Sequence, residues 1–150
     1  MNYSRFDALV MVHPDFDFPI NPNYSKNVRD AVLEFTSFSK PIFVLPGINH
    51  SVEHRGDPEI IETLVDAGAH ILPETTTTNY QDQVDIIAAE IDKSRDHIRL
   101  AVGGTYAQVC VYASATAWSN DVTTNHTWAG AKLSPVEKPI GFATVLDDLV

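Results

Sequence analysis

Apolar runs of strand length alternate along the chain with segments of helical period. Residues 8–12 form a continuous apolar run that ends at His13, which is typical of a strand covered on both faces of a sheet. Segment 23–39 has apolar side chains at steps of three and four, so it predicts a helix with one buried face. A second strand is predicted at 42–45, before Pro46. The apolar positions of the helix predicted over segment 23–39 are Val28, Ala31, Val32, Phe35 and Phe38.

The alternation continues through the middle of the chain. Asp57-Pro58 predicts the start of a second helix, and Gly68 is its predicted C-cap. A short third strand is predicted at 69–72, followed by a threonine-rich loop and a third helix. A fourth strand is predicted at 98–102. The inward positions of the two helices are Ile60, Ile61, Leu64 and Val65 in the second, and Val84, Ile87, Ala88 and Ile91 in the third.

The C-terminal third is less regular. The fourth strand is predicted to break at Gly103 and Gly104 into the first turn of a helix that continues to about Trp118. Residues 122–128 predict a fifth strand, nearer an edge of the sheet because it is more polar than the others. The last stretch, 139–150, is predicted to add an extended segment or a terminal helical turn.

Repeated strand and helix alternation predicts an α/β fold, with a mostly parallel sheet and helices on both faces in a three-layer α/β/α arrangement. A chain of 150 residues with 44% hydrophobic composition predicts a single domain over residues 1–150. Ligands in such sheets bind beyond the carboxyl ends of the strands, near the point where strand order reverses. Under the strand order 3-2-1-4-5(-6), the first and fourth strands are neighbours at that point.

Charge and cysteine content exclude several classes of protein. A formal net charge of −10 argues against nucleic-acid binding and against adhesion to anionic membranes, so we expect neither partner. A single cysteine excludes an internal disulfide, and no apolar stretch approaches the roughly 20 residues that span a bilayer. With no secretory leader recognised, we expect a soluble, cytoplasmic protein.

Three predicted strand ends are followed by residues of chemical interest, namely His13, Glu74 and Cys110. A helix N-terminus can lower the pKa of a thiol and stabilise an oxyanion, so Cys110 is a candidate nucleophile. Taken singly, the cysteine also fits a small core residue, the histidine a structural role and the glutamate a solvated loop. If the first and fourth strands are neighbours, however, Cys110 and His13 share one crevice.

Two segments resemble a known family. The run from Ala101 through Gly104 to Cys110 and Val111 is similar to the nucleophile segment of the isochorismatase-like cysteine hydrolases, with the glycine six residues before the cysteine. The segment 8–18 resembles that family's first strand and the D-x-Q-x-D-F motif after it. The resemblance implies a Rossmann-like, isochorismatase-like fold, a cysteine nucleophile, a small-molecule substrate and a homo-oligomer. The expected oxyanion and substrate-binding residues are Tyr106, Ala107, Gly104 and Phe18.

The chain departs from the family at two catalytic positions. The family's general-base aspartate corresponds to His13, and its lysine to Pro73 or Glu74, with the spacing to Tyr80 favouring Glu74. One hypothesis is that Cys110, His13 and Glu74 form a Cys-His-acid triad that hydrolyses a small amide, ester or related carbonyl compound. The other is an inactive relative that serves as a small-ligand binding or assembly module.

A metal site is the third possibility. His50 and His54 follow the second strand, where the nicotinamidase branch of the family places a metal, but the D-x-H motif is missing. Two solvated loop histidines are the favoured interpretation. Asp15 and Asp17 could bind a cation together with His13, although such positions more often cap a turn. We therefore predict no metal and no other cofactor.

Overall fold

A computed structural model describes residues 3–14, 23–45, 58–73, 80–104, 111–118, 138–140 and 143–145. Within these ranges the strands are β1 (Ala8–Val12), β2 (Ile42–Leu45), β3 (His70–Ile71), β4 (Leu100–Gly104), β5 (Lys138–Ile140) and β6 (Ala143–Val145). The helices are α1 (Tyr24–Ser37), α2 (Pro58–Asp66), α3 (Tyr80–Ile91) and α4 (Tyr112–Trp118), and a 3₁₀ turn covers Arg95–His97.

The described strands form one sheet in the order β3-β2-β1-β4-β6-β5. Strand β1 pairs in parallel with β2 and β4, β2 with β3, and β4 with β6, whereas β5 is antiparallel to β6. The predicted parallel α/β sheet and its inner order are confirmed. The predicted outer order is wrong, because residues 141–142 connect β5 and β6 as antiparallel neighbours and β6 is the one beside β4. The predicted strand 122–128 lies outside the described residues.

Two cores cover the two faces of the sheet, which confirms the three-layer arrangement. All five residues of β1 are buried, and alternate residues contribute to opposite faces. Val10 and Val12 lie in the core shared with α3 and α4, whereas Leu9 and Met11 lie in the core shared with α1 and α2. Trp118 is wholly buried in the first of these cores, so it is a core aromatic.

Helices α1 and α2 each end in a Schellman motif with a left-handed residue. Gly68, at φ +74°, follows α2, and the N–H groups of Gly68 and Ala69 donate to the carbonyls of Val65 and Leu64. This Schellman motif confirms the predicted glycine cap. Helix α1 ends in the same hydrogen-bond pattern with Ser39 at φ 55°, where a β-carbon is strained.

Two predicted core positions are exposed. Phe38 is 54% exposed because α1 ends at Ser37 and Phe38 is the C-cap, outside the helical stripe. Val65 is 62% exposed because Leu64, its neighbour on α2, already occupies the buried face and one residue turns the helix by about 100°.

Strand β4 runs through the two glycines at which the sequence predicts a break. It covers Leu100–Gly104 rather than 98–102, because it pairs with β1 along its whole length, from Ala8 opposite Leu100 to Val12 opposite Gly104. Strand β3 is shorter than predicted, covering two residues of the range 69–72. None of the described helices has the length and apolarity needed to cross a membrane.

Candidate active site

Strands β1, β2 and β4 end at one level and β3 ends one residue before it; we call this end of the sheet the carboxyl edge. One row of register partners crosses all four strands just before this edge. His13 directly follows β1 and Pro73 lies two residues after the end of β3, so these two described residues leave the sheet at the same edge. The row consists of Ile71, Val44, Met11 and Gly103.

Gly104 brings the ends of β1 and β4 unusually close. Its φ of +131° lies in the region that favours glycine, and a β-carbon there would overlap the carbonyl oxygen of Val12. Only glycine fits this approach of two backbones. Segment 105–110 begins directly after it, so the chain that carries Cys110 starts beside the end of β1. The oxyanion or substrate-binding role of Gly104 stays a prediction.

His13 is the residue directly after β1. It is half-buried, its φ is 48°, and its backbone N–H donates to the carbonyl of Leu45 at 2.8 Å. A left-handed backbone is uncommon outside glycine and costs about 1–3 kcal/mol, so the surrounding structure must hold it in place. Such strained positions are frequent at functional sites. The predicted base is therefore at the carboxyl edge, beside the end of β4.

The predicted nucleophile directly precedes a well-anchored helix. Val111, the next residue after Cys110, is wholly buried in the core shared with α3 and α4. Helix α4 then runs from Tyr112 to Trp118, which confirms the predicted helix over this range. The following predicted site residues lie outside the described residues, and their roles stay predictions: Cys110, Glu74, Tyr106, Ala107 and Phe18.

The metal interpretations rest on residues that also lie outside the described ranges, namely His50, His54, Asp15 and Asp17. Among the side chains that the structure describes, no group of three or more His, Cys, Asp or Glu residues could hold a metal ion.

A buried glutamine that the sequence pattern did not single out links two parts of the carboxyl edge. The Gln83 side chain on α3 is inaccessible to solvent; its Nε2 donates to the carbonyl of Pro73 at 2.8 Å. Its Oε1 accepts a hydrogen bond from Trp118 Nε1, also at 2.8 Å. One amide thus connects the residue before Glu74 to the helix after Cys110. Its signal in the sequence is a polar residue on the apolar stripe of α3, four positions before Ile87.

The strand ends that lead to the three predicted catalytic residues lie at different distances from one another across the sheet. Strands β1 and β4 are neighbours, so His13 and segment 105–110 leave the sheet about one strand spacing apart, roughly 5 Å. Strand β2 lies between β1 and β3, so Pro73 is about two spacings from β1, roughly 10 Å. A Glu74 carboxylate that contacts His13 therefore has to cross the end of β2.

No protein-family model and no curated protein matches the sequence. Among solved structures, the chain is similar to the YcaC gene product of Escherichia coli, an octameric hydrolase of unknown specificity. The two share 20% sequence identity with a TM-score of 0.53, over 81% of this chain and 62% of that one. The chain thus spans less than two thirds of the length of this structural relative. At this level of identity the likeness concerns the fold.

Proposed function

We propose that the protein is a cysteine-dependent hydrolase of the isochorismatase-like type, acting on a small amide, ester or related carbonyl compound. The observation that carries the proposal is the end of the β1–β4 pairing, where Gly104 lies against Val12. Because of this pairing, the strained His13 and the segment leading to Cys110 begin at adjacent strand ends. The fold shared with an octameric hydrolase of Escherichia coli supports the same reaction class.

In the proposed reaction, the His13 imidazole accepts the Sγ proton of Cys110, and the thiolate attacks the carbonyl carbon of the substrate. Backbone N–H groups near Tyr106 and Ala107 stabilise the oxyanion that forms. The intermediate collapses to a thioester, and the departing amine or alcohol takes the proton from the imidazolium. Water, deprotonated by His13, then attacks the thioester, which releases a carboxylic acid and restores the thiol.

Glu74 has a supporting role in this proposal. Its carboxylate accepts a hydrogen bond from the His13 ring and so selects the imidazole tautomer that can deprotonate the thiol. The roughly 10 Å between the ends of β1 and β3 means that this contact depends on the path of the residues after Pro73. We therefore assign Glu74 a smaller effect on rate than His13. Phe18 supplies an apolar wall to the substrate site.

A homo-oligomer is the second part of the proposal. Ile71 is 64% exposed on β3, the edge strand of the described sheet, and Val65 is exposed on the preceding helix. Exposed edge strands and apolar side chains are common places for self-association. The similar Escherichia coli structure is an octamer. Light scattering coupled to gel filtration should give a mass above the 16.6 kDa of one chain, and Ile71→Lys should reduce it.

The catalytic proposal is tested by steady-state hydrolysis of a panel of small amides and esters. Cys110→Ser should lower kcat/KM by about 10³-fold or more, His13→Ala by about 10²-fold, and Glu74→Gln by about 10-fold. His70→Ala is the matched control, because this exposed histidine lies on β3 and pairs with Glu90 outside the proposed site, and it should leave the rate unchanged. Unchanged rates in both Cys110→Ser and His13→Ala would contradict the proposal. If the parent protein hydrolyses no compound of the panel but binds one of them, the alternative of an inactive small-ligand binding module is favoured.

A further inference from the structure

The amino ends of β1 and β4 border a cleft, at the opposite end of these strands from His13. Its volume is about 650 Å³, and Asp7 and Arg99 in its wall directly precede β1 and β4. The length of β1, five residues or about 16 Å, separates it from the carboxyl edge. It is therefore distinct from the candidate active site. We call it the amino-end cleft; it is lined by Arg5, Asp7, Lys93, Ser94, His97 and Arg99.

The charge of the amino-end cleft is opposite to that of the chain. Its lining has three cationic side chains and one carboxylate, whereas the whole chain has 10 Lys and Arg residues and a net charge of −10. Three of the ten cationic residues thus face one small volume on an acidic protein. An anion bound among these three cationic side chains would be attracted by all of them.

The one carboxylate among the described lining residues is already engaged by the protein. Asp7 Oδ1 accepts a hydrogen bond from Lys93 Nζ at 2.7 Å, and Asp7 Oδ2 accepts one from the Arg99 backbone N–H at 2.8 Å. These contacts hold Lys93 in place and tie together the starts of β1 and β4. Within the described part of the chain, the Arg99 guanidinium makes no hydrogen bond or ion pair. Among the lining residues that the structure describes, the cationic side chains thus still outnumber the carboxylate.

A second fixed group completes the wall. His97 Nδ1 lies 2.7 Å from Ser94 Oγ, and the His97 backbone N–H donates to the Ser94 carbonyl at 2.9 Å. The ring is thus held through one nitrogen, which leaves Nε2 as the atom that can meet a ligand. Arg5 is anchored by the position of its guanidinium 4.6 Å from the centre of the Phe6 ring.

We propose that the amino-end cleft binds the phosphate or diphosphate group of a small molecule. Arginine presents a planar set of donors that matches phosphate oxygens in pairs, and Lys93 adds a compact charge. The volume lies within the range of small-molecule sites, about 300–1,000 Å³. A long polyanion would extend beyond the Debye length of about 8 Å and meet the acidic remainder of the surface. The cleft therefore suits a compact anion and not a nucleic acid.

The test is calorimetric titration of the full chain with inorganic pyrophosphate, inorganic phosphate and citrate at about 0.15 M salt. We expect saturable binding of pyrophosphate, with a Kd at least 10-fold weaker in Arg99→Gln and in Arg5→Gln. Arg29→Gln is the matched control: it removes the same charge from an exposed arginine on α1, next to Glu59 and outside the cleft, and should leave Kd unchanged. Circular dichroism verifies that each variant is folded.

A second measurement keeps the result interpretable if a variant does not fold. Pyrophosphate added to the parent protein should shift the amide NMR signals of Asp7, Lys93 and Arg99 and leave that of His13 in place. Equal weakening in all three arginine variants would show a general charge effect and overturn the proposal. Non-saturable binding would also overturn the proposal. Citrate binding as tightly as pyrophosphate would mean that the cleft binds carboxylates rather than phosphates.

Discussion

Gly104 lies so close to Val12 that residue 104 has no room for a side chain. The two residues are register partners at the carboxyl ends of β4 and β1, and a β-carbon on one would overlap the carbonyl oxygen of the other. This contact sets how the two strands end, and His13 and segment 105–110 both begin there. The geometry of the proposed active site therefore depends on the absence of a side chain at residue 104.

Replacing Gly104 with alanine should strongly destabilise the protein. The new β-carbon must displace the Val12 backbone, and φ +131° is itself strained for alanine, so the free energy of unfolding should fall by about 3 kcal/mol or more. Gly68→Ala is the control, because Gly68 also has a positive φ but a β-carbon added there would meet nothing within 4 Å. It should cost about 1 kcal/mol. Equal losses in urea unfolding would mean that the contact with Val12 is unimportant.

Replacing Gln83 with leucine should leave the Pro73 carbonyl and the Trp118 indole N–H without their present hydrogen bonds. Both lie in or beside the core, so we expect a loss of about 2–4 kcal/mol in the free energy of unfolding. Asp85→Ala, at an exposed position of the same helix, should change it by less than about 0.5 kcal/mol.

A double-mutant cycle isolates the bond between Gln83 and Trp118. Trp118→Phe removes the indole donor, and its effect should be smaller in the Gln83→Leu background than in the parent, with a coupling energy of about 1 kcal/mol. Additive effects would show that the hydrogen bond contributes nothing to stability.

Ser39→Gly should stabilise the protein. Ser39 has φ 55° at the end of α1, where glycine avoids the strain of a β-carbon, and the expected gain is about 0.5–1 kcal/mol in the free energy of unfolding. Ser37→Gly, at the last helical residue, should instead lose about 0.5–1 kcal/mol, because glycine is unfavourable within a helix. Thermal unfolding of the two variants should therefore shift Tm in opposite directions.

Alkylation of Cys110 should report the thiolate that the proposed reaction requires. If His13 accepts the thiol proton, iodoacetamide should modify the protein at pH 6–7 faster than it modifies free cysteine, whose pKa is about 8.5. His13→Ala should move the pH dependence toward that of free cysteine, whereas His70→Ala should not. A slow reaction with an ordinary pH dependence in the parent protein would favour the inactive alternative.

Most strands and helices follow from the sequence because their signals are local. Residues 8–12 and 42–45 are continuous apolar runs, and both are strands buried on two faces. The apolar stripe of α1 from Val28 to Phe35 is buried as its period predicts. Phe38, also predicted to be buried, is exposed only because the helix ends before it. The break predicted at Gly103 and Gly104 is wrong for a different reason. Glycine usually interrupts a strand, but the pairing of β4 with β1 continues through both residues.

The sequence alone determined the alternation of strands and helices and the position of His13 at the end of β1, because both follow from side-chain period and chain connectivity. The strand order entered only as an assumption, which the structure confirmed for β3, β2, β1 and β4. Only the tertiary structure decided that β6 lies beside β4, that Gln83 bridges Pro73 and Trp118, and that Arg5, Lys93 and Arg99 face one cleft. These relationships join residues far apart in the chain. They arise from the packing of whole elements, which no local pattern of polar and apolar residues encodes.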